Sequence, residues 1–112
     1  EVAAHPAAIQ ALEDVLKESG IEYILGKSWT TDAFYRETPL RRALRTAQGC
    51  QIVEMEAAAF FAVAQFREVI FGQIVYGGDL VVPEGWDLRG WHKRQGDRAM
   101  LFQFALQACL RL

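Results

Sequence analysis

The chain has 112 residues, 52% of them hydrophobic, with 12 basic and 14 acidic side chains and a formal charge of −2 at pH 7. That length suits one domain with one core, and the mixed, near-neutral charge offers no basic footprint for nucleic acid or an anionic membrane surface. The longest apolar run, Ala57 to Ala64, falls far short of the roughly 20 residues that span a bilayer as a helix.

In chain order, Pro6 to Ser19 carries Ile9, Leu12, Val15 and Leu16 at helical spacing and stops at Gly20, predicting an amphipathic helix. Ile21 to Trp29 reads as a strand and Thr30 to Tyr35 as a loop. Pro39 to Gln48 reads as a short basic helix with Arg41, Arg42 and Arg45 on its wet side and Gly49 ending it. Gln51 to Glu54 predicts a second strand. Ala57 to Phe66 is apolar on nearly all sides, as in a helix buried between a sheet and a neighbour. Val69 to Tyr76 is a continuous apolar run of the kind found in a central parallel strand, closed by Gly77-Gly78-Asp79. Leu80 to Arg89 reads as a loop. Lys93 to Leu112 then predicts a long closing helix with Met100, Leu101, Phe104, Ala105, Ala108 and Cys109 facing inward. No repeat, linker or low-complexity tract interrupts this single expected domain, 1–112.

Alternating helices and strands predict an α/β domain with a mostly parallel sheet, and such sheets bind ligands beyond the carboxyl ends of their strands. Glu54 and Glu56 fall at such an end, between an apolar strand and an alanine-rich helix. A carboxylate there loses water unless other donors replace it, so a polyhydroxylated ligand is a natural occupant. Asp79 closes the next apolar run; if the two strands are neighbours, three carboxylates converge on one edge. Cys50 and Cys109 lie in apolar stretches without metal-ligand spacing, the pattern of buried, reduced thiols in a cytoplasm. His5 and His92 lack the companions of a metal site or a catalytic triad, and Arg36, Arg89, Lys93 and Arg94 read as surface charges. No metal site is expected. The chain opens on Glu1 rather than methionine, which admits a fragment or a processed piece.

Three blocks, Ser28-Trp-Thr-Thr-Asp-Ala-Phe-Tyr-Arg-Glu37, Ile52-Val-Glu-Met-Glu-Ala-Ala-Ala59 and Tyr76-Gly-Gly-Asp79, resemble in order and spacing the C-terminal half of the nucleoside phosphorylase family. That family includes hexameric purine nucleoside phosphorylase, uridine phosphorylase and methylthioadenosine/S-adenosylhomocysteine nucleosidase. The Val-Glu-Met-Glu-Ala string is the specific element, and the blocks cover about residues 20 to 80. The resemblance implies part of a three-layer α/β/α fold and cleavage of the N-ribosidic bond of a nucleoside, by phosphorolysis or hydrolysis, in the complete protein. Met55 would pack on the ribose, Glu56 would accept hydrogen bonds from its 2′ and 3′ hydroxyls, and Glu54 would stand near the same sugar or support its partner. Phe34 and Tyr35 would cover the base, and Asp79 would protonate the leaving group as general acid. No cofactor is implied beyond phosphate as a possible co-substrate. The expected partners are a nucleoside and further copies of the chain in a cytoplasmic homo-oligomer, with neither nucleic acid nor membrane.

The sequence departs from the family where Gly77-Gly78 precede Asp79 in place of a serine, which leaves base preference open. The family's glycine-rich phosphate loop and phosphate-binding arginines belong to an N-terminal half without a counterpart in these blocks. The alternative is therefore a catalytically incomplete module that oligomerises or binds a nucleoside. Each site residue also has a plainer role open to it: a solvated strand end for Glu54 and Glu56, core packing for Met55, packing beneath a loop for Phe34 and Tyr35, and a turn or helix cap for Asp79.

Overall fold

The computed structural model describes residues 1–78, 80–82, 85–87 and 90–112. They form two compact units, one made of Glu1–Ala3 with Tyr23–Val69 and the other of Ala4–Glu22 with Ile70–Leu112. The mixture of helices with a parallel strand pair fits the expected α/β class.

The first unit is built on a two-stranded parallel sheet of β1 (Lys27–Thr30) and β2 (Cys50–Glu54). Parallel strands need a crossover of a dozen or more residues; here it contains a single 3-10 turn, Phe34–Arg36, and a helix, α1 (Pro39–Ala47). Thr38 caps α1 by accepting from the Arg41 N–H at 3.3 Å, and Pro39 takes the first helical position, where no N–H is needed. Trp29 is buried on β1, and the Arg45 guanidinium lies 5.9 Å from its ring centroid. The register pairs Ser28 with Ile52, Trp29 with Val53 and Thr30 with Glu54, so a hydroxyl and a carboxylate meet at the carboxyl end of the sheet. Helix α2 (Ala57–Phe66) follows directly.

Helix α2 has the predicted limits but not the predicted burial. Only Ala57 and Ala64 are buried; Phe60, Val63 and Phe66 are 51%, 59% and 81% exposed. An apolar sequence states what a helix could bury, while a two-stranded sheet supplies too little surface to cover it. The helix ends in a Schellman arrangement, with the Glu68 N–H on the Gln65 carbonyl at 3.2 Å and the Val69 N–H on the Ala64 carbonyl at 3.0 Å. Glu68 holds φ of 55°, the left-handed conformation usually left to glycine. A Glu68→Gly substitution is expected to raise stability by about 1 kcal/mol, the left-handed cost removed less glycine's extra freedom when unfolded. Urea titration of the two proteins measures it.

The second unit pairs helix α3 (Pro6–Glu18 in the chain's first segment) with helix α4 (Gln95–Cys109). Pro6 begins α3 and the His5 imidazole caps it, Nδ1 accepting from the Ala7 N–H at 3.2 Å. At the other end Gly20, at φ 66°, closes the motif that Glu68 closes in α2. The α3 stripe of Ala8, Ala11, Val15 and Leu16 is buried with Phe104 and Ala108 of α4. Arg111 holds Glu18 through two bonds of 2.9 and 2.6 Å, which draws the Glu18 carboxyl below its usual range.

Residues 69–76, predicted as a central strand, form no strand. Their apolar content is a preference for burial, whereas a strand also needs a ladder partner, and neither sheet pairs with this run. It makes single contacts instead: the Phe71 carbonyl accepts from the His5 N–H at 2.9 Å and Gly72 lies against α3, while Val69, Ile70 and Val75 stay exposed. A β-carbon on Gly72 would stand 2.9 Å from Ala8 Cβ and 3.3 Å from Leu12 Cδ1. Gly72→Ala should thus cost about 1–3 kcal/mol through overpacking, read as a lowered urea midpoint.

Other differences from expectation are smaller. The strand predicted over Ile21 to Trp29 is ordered as β1 only from Lys27, and the predicted loop after Asp79 contains an antiparallel hairpin, β3 (Leu80–Val82) and β4 (Gly85–Asp87). A 3-10 turn at Trp91–Lys93 precedes α4. Cys109 and Met100 are exposed rather than inward, and Cys50 is half-buried; both thiols are free.

Candidate functional site

A helix leaves its first four N–H groups without intrahelical partners. At the start of α2, Glu54 and Thr30 supply three of the missing acceptors. Glu54 Oε2 accepts from the Glu56 N–H at 2.8 Å and the Ala57 N–H at 2.5 Å, and its Oε1 accepts from the Thr30 hydroxyl. Thr30 Oγ1 in turn accepts from the Ala58 N–H at 3.0 Å. The carboxylate also suits the positive end of the helix dipole. The parallel register is what makes this possible, because it sets Thr30 opposite Glu54.

The backbone of Glu54 anchors a second segment. Its carbonyl accepts from the Thr31 N–H at 2.8 Å, and buried Thr31 donates from Oγ1 to the Ala33 carbonyl at 3.1 Å. This bend leads into the 3-10 turn that displays Phe34 and Tyr35, whose rings meet edge to face at 5.6 Å between centroids. Both rings are exposed, at 60% and 72%. Arg36, on the same turn, pairs with Asp32 at 2.7 Å.

Glu56 is placed differently from Glu54. It is the capping residue of α2 by backbone, its carbonyl accepting from the Ala59 and Phe60 N–H groups, each at 3.1 Å, yet its carboxylate makes no cap bond and is exposed. Met55 beside it is also exposed. The junction thus shows one carboxylate engaged in holding the backbone and one presented outward with a thioether next to it. Chemically, an outward carboxylate offers acceptors to a vicinal diol, and bonds to it are charge-assisted.

Asp79 lies outside the described residues. The run before it belongs to the other unit, where the Tyr76 ring lies 5.4 Å from the Arg94 guanidinium and its hydroxyl accepts from Arg98 Nε at 3.0 Å. Arg94 also donates to the Gly77 carbonyl at 3.0 Å and pairs with Asp97, so it is more engaged than a plain surface charge. Among the described residues the parallel sheet pairs β1 with β2, and residues 69–76 join neither sheet; the expected convergence of three carboxylates includes Asp79 and so lies outside the described residues.

Thr30 is the member of the junction that the sequence did not single out. Its signal was available only in combination: a hydroxyl at the end of one strand, in register with a carboxylate at the end of a parallel one. Among the described residues no group of three or more His, Cys, Asp and Glu side chains is placed to hold a metal ion, and no helix is long and apolar enough to cross a membrane.

The family model described as the Phosphorylase superfamily matches residues 1–109, a longer stretch than the three motif blocks span. No curated protein matches the chain.

Proposed function

The chain belongs to the phosphorylase superfamily, and from that premise we propose that it is a nucleoside phosphorylase-like domain serving cleavage of an N-ribosidic bond in the complete protein. The observation that carries this reading is the outward carboxylate of Glu56 beside Met55 at the start of α2. Glu56 accepts hydrogen bonds from the 2′ and 3′ hydroxyls, Met55 packs on the sugar, and Phe34 with Tyr35 covers the base. Glu54 belongs to the same junction. As the bond to the base breaks, positive charge grows on the ribosyl ring, and a nearby carboxylate favours it. Asp79 gives a proton to the departing base, and phosphate or water attacks the anomeric carbon. The three-layer α/β/α arrangement, a purine as the base and a cytoplasmic location belong to this reading as well.

Calorimetric titration with adenosine, inosine and uridine, with and without phosphate, tests it, together with chromatographic detection of released base. Binding of at least one nucleoside is the expected result; no binding of any of them sinks the proposal for this chain.

The exposure of Phe60, Val63 and Phe66 on α2 favours a second reading. In it the chain is a catalytically incomplete module that covers these side chains by assembling with further copies of itself. Light scattering separates the outcomes: a stable monomer at high concentration removes the homo-oligomer.

A further inference from the structure

We propose that Glu54 and Thr30 are positioning residues: they form a clip that orients the Met55–Glu56 segment and the Thr31–Tyr35 segment, and neither touches the sugar. The inference rests on the reading of Glu56 as the ribose acceptor. It assigns the two glutamates of one short string to different tasks.

The acceptor inventory carries the argument. An ionised carboxylate has about four lone-pair sites; Glu54 uses two on the amides of Glu56 and Ala57 and one on the Thr30 hydroxyl. Thr30 has one proton to give and gives it to Glu54, and it accepts from Ala58. For Glu54 to turn toward a ribose diol, the N–H groups of Glu56 and Ala57 would lose their acceptor at the start of α2. Glu56 has no such commitment, since its carboxylate makes no cap bond. The Glu54 carbonyl meanwhile fixes Thr31, and with it the bend into Phe34 and Tyr35. One residue thereby sets the direction of both the sugar-side and the base-side segments.

A glutamine can keep the clip. Its amide oxygen can accept from Glu56 and Ala57, and its NH₂ can donate to Thr30 Oγ1, which retains a lone pair for Ala58. Valine in place of Thr30 has nearly the same shape and cannot keep it. The test measures nucleoside affinity (adenosine, inosine, uridine) by calorimetry in Glu54→Gln, Glu56→Gln, Thr30→Val and Thr30→Ser, with amide hydrogen exchange at Glu56, Ala57 and Ala58 in the same proteins without ligand.

Glu54→Gln should stay within about threefold of the parent affinity, while Glu56→Gln, which loses a charge-assisted acceptor, should lose about tenfold or more. Thr30→Val should lose about a hundredfold through misplacement, with Thr30→Ser restoring most of it. Exchange at the three amides should quicken in Thr30→Val and remain slow in Glu54→Gln and Thr30→Ser. Equal losses in Glu54→Gln and Glu56→Gln, or unchanged affinity and exchange in Thr30→Val, would overturn the assignment. Should Thr30→Val fail to fold, the comparison of Glu54→Gln with Glu56→Gln decides. If the parent chain binds none of the three nucleosides, the proposed function fails by itself and the exchange rates alone judge the clip: quickened exchange in Thr30→Val upholds it and unchanged exchange refutes it.

Discussion

Replacing Glu56 with alanine is expected to weaken nucleoside binding by at least about a hundredfold while leaving the fold almost unchanged. Hydrogen bonds to a charged partner contribute roughly 1.5–3 kcal/mol each, and the proposed grip uses two of them on one diol. Even the lower pair of values exceeds a factor of one hundred in Kd. The structural cost is small for a reason visible at the start of α2: the Glu56 side chain is exposed and caps nothing. What it gives the helix is a negative charge near the dipole, worth about 0.3–1 kcal/mol. Calorimetry and urea denaturation of the same variant separate the two effects. Binding as tight as that of the parent chain would remove Glu56 from the site. A large fall in stability would show instead that its carboxylate holds the fold.

The contrast between Glu54 and Glu56 also marks how far the sequence could be read. Helix α2 and strand β2 were legible because local signals agree there: Gly49 ends the preceding helix, a short apolar run follows, and alanines take over at Ala57. The string Val53-Glu54-Met55-Glu56-Ala57 carried the family, which the match over residues 1–109 confirms. That Thr30 joins Glu54 in holding this backbone was not legible, because it depends on the register of a strand twenty-odd residues away. Thr30 meets Glu54 only because β1 and β2 run parallel with Trp29 beside Val53. The same limit explains the error over Val69 to Tyr76. Hydrophobic content reports a preference for burial, whereas a strand also needs a ladder partner that the run itself does not name, and Val69, Ile70 and Val75 stay exposed outside either sheet. Phe60, Val63 and Phe66 show the converse, an apolar helix face that stays exposed although its sequence reads as buried.

Phe104→Ala carries the largest expected loss of stability, about 3–5 kcal/mol. Phe104 is one of two buried residues on α4, whereas Phe102 and Leu106 on the same helix and Leu110 at its C-terminal cap are exposed. Helix α4 is consequently held through a narrow contact with α3, where Ala8, Ala11, Val15 and Leu16 are buried. Alanines on both helices allow close approach but fill little volume, so a large share of the apolar burial falls on Phe104, Val15 and Leu16. Truncation removes the transfer free energy of the ring and leaves a cavity, and the neighbouring alanines have no side-chain length with which to fill it. The loss is a large part of the roughly 5–15 kcal/mol that holds a domain of this size together. Leu110→Ala is the matched control: the side chain is 80% exposed, and its removal should shift stability by no more than about 0.5 kcal/mol. Urea titration followed by circular dichroism compares them, since both substitutions shorten an apolar side chain near the same helix terminus. Equal midpoints for the two variants would mean that α3 and α4 do not share a core, and that the buried face of Phe104 is sealed by something other than that contact.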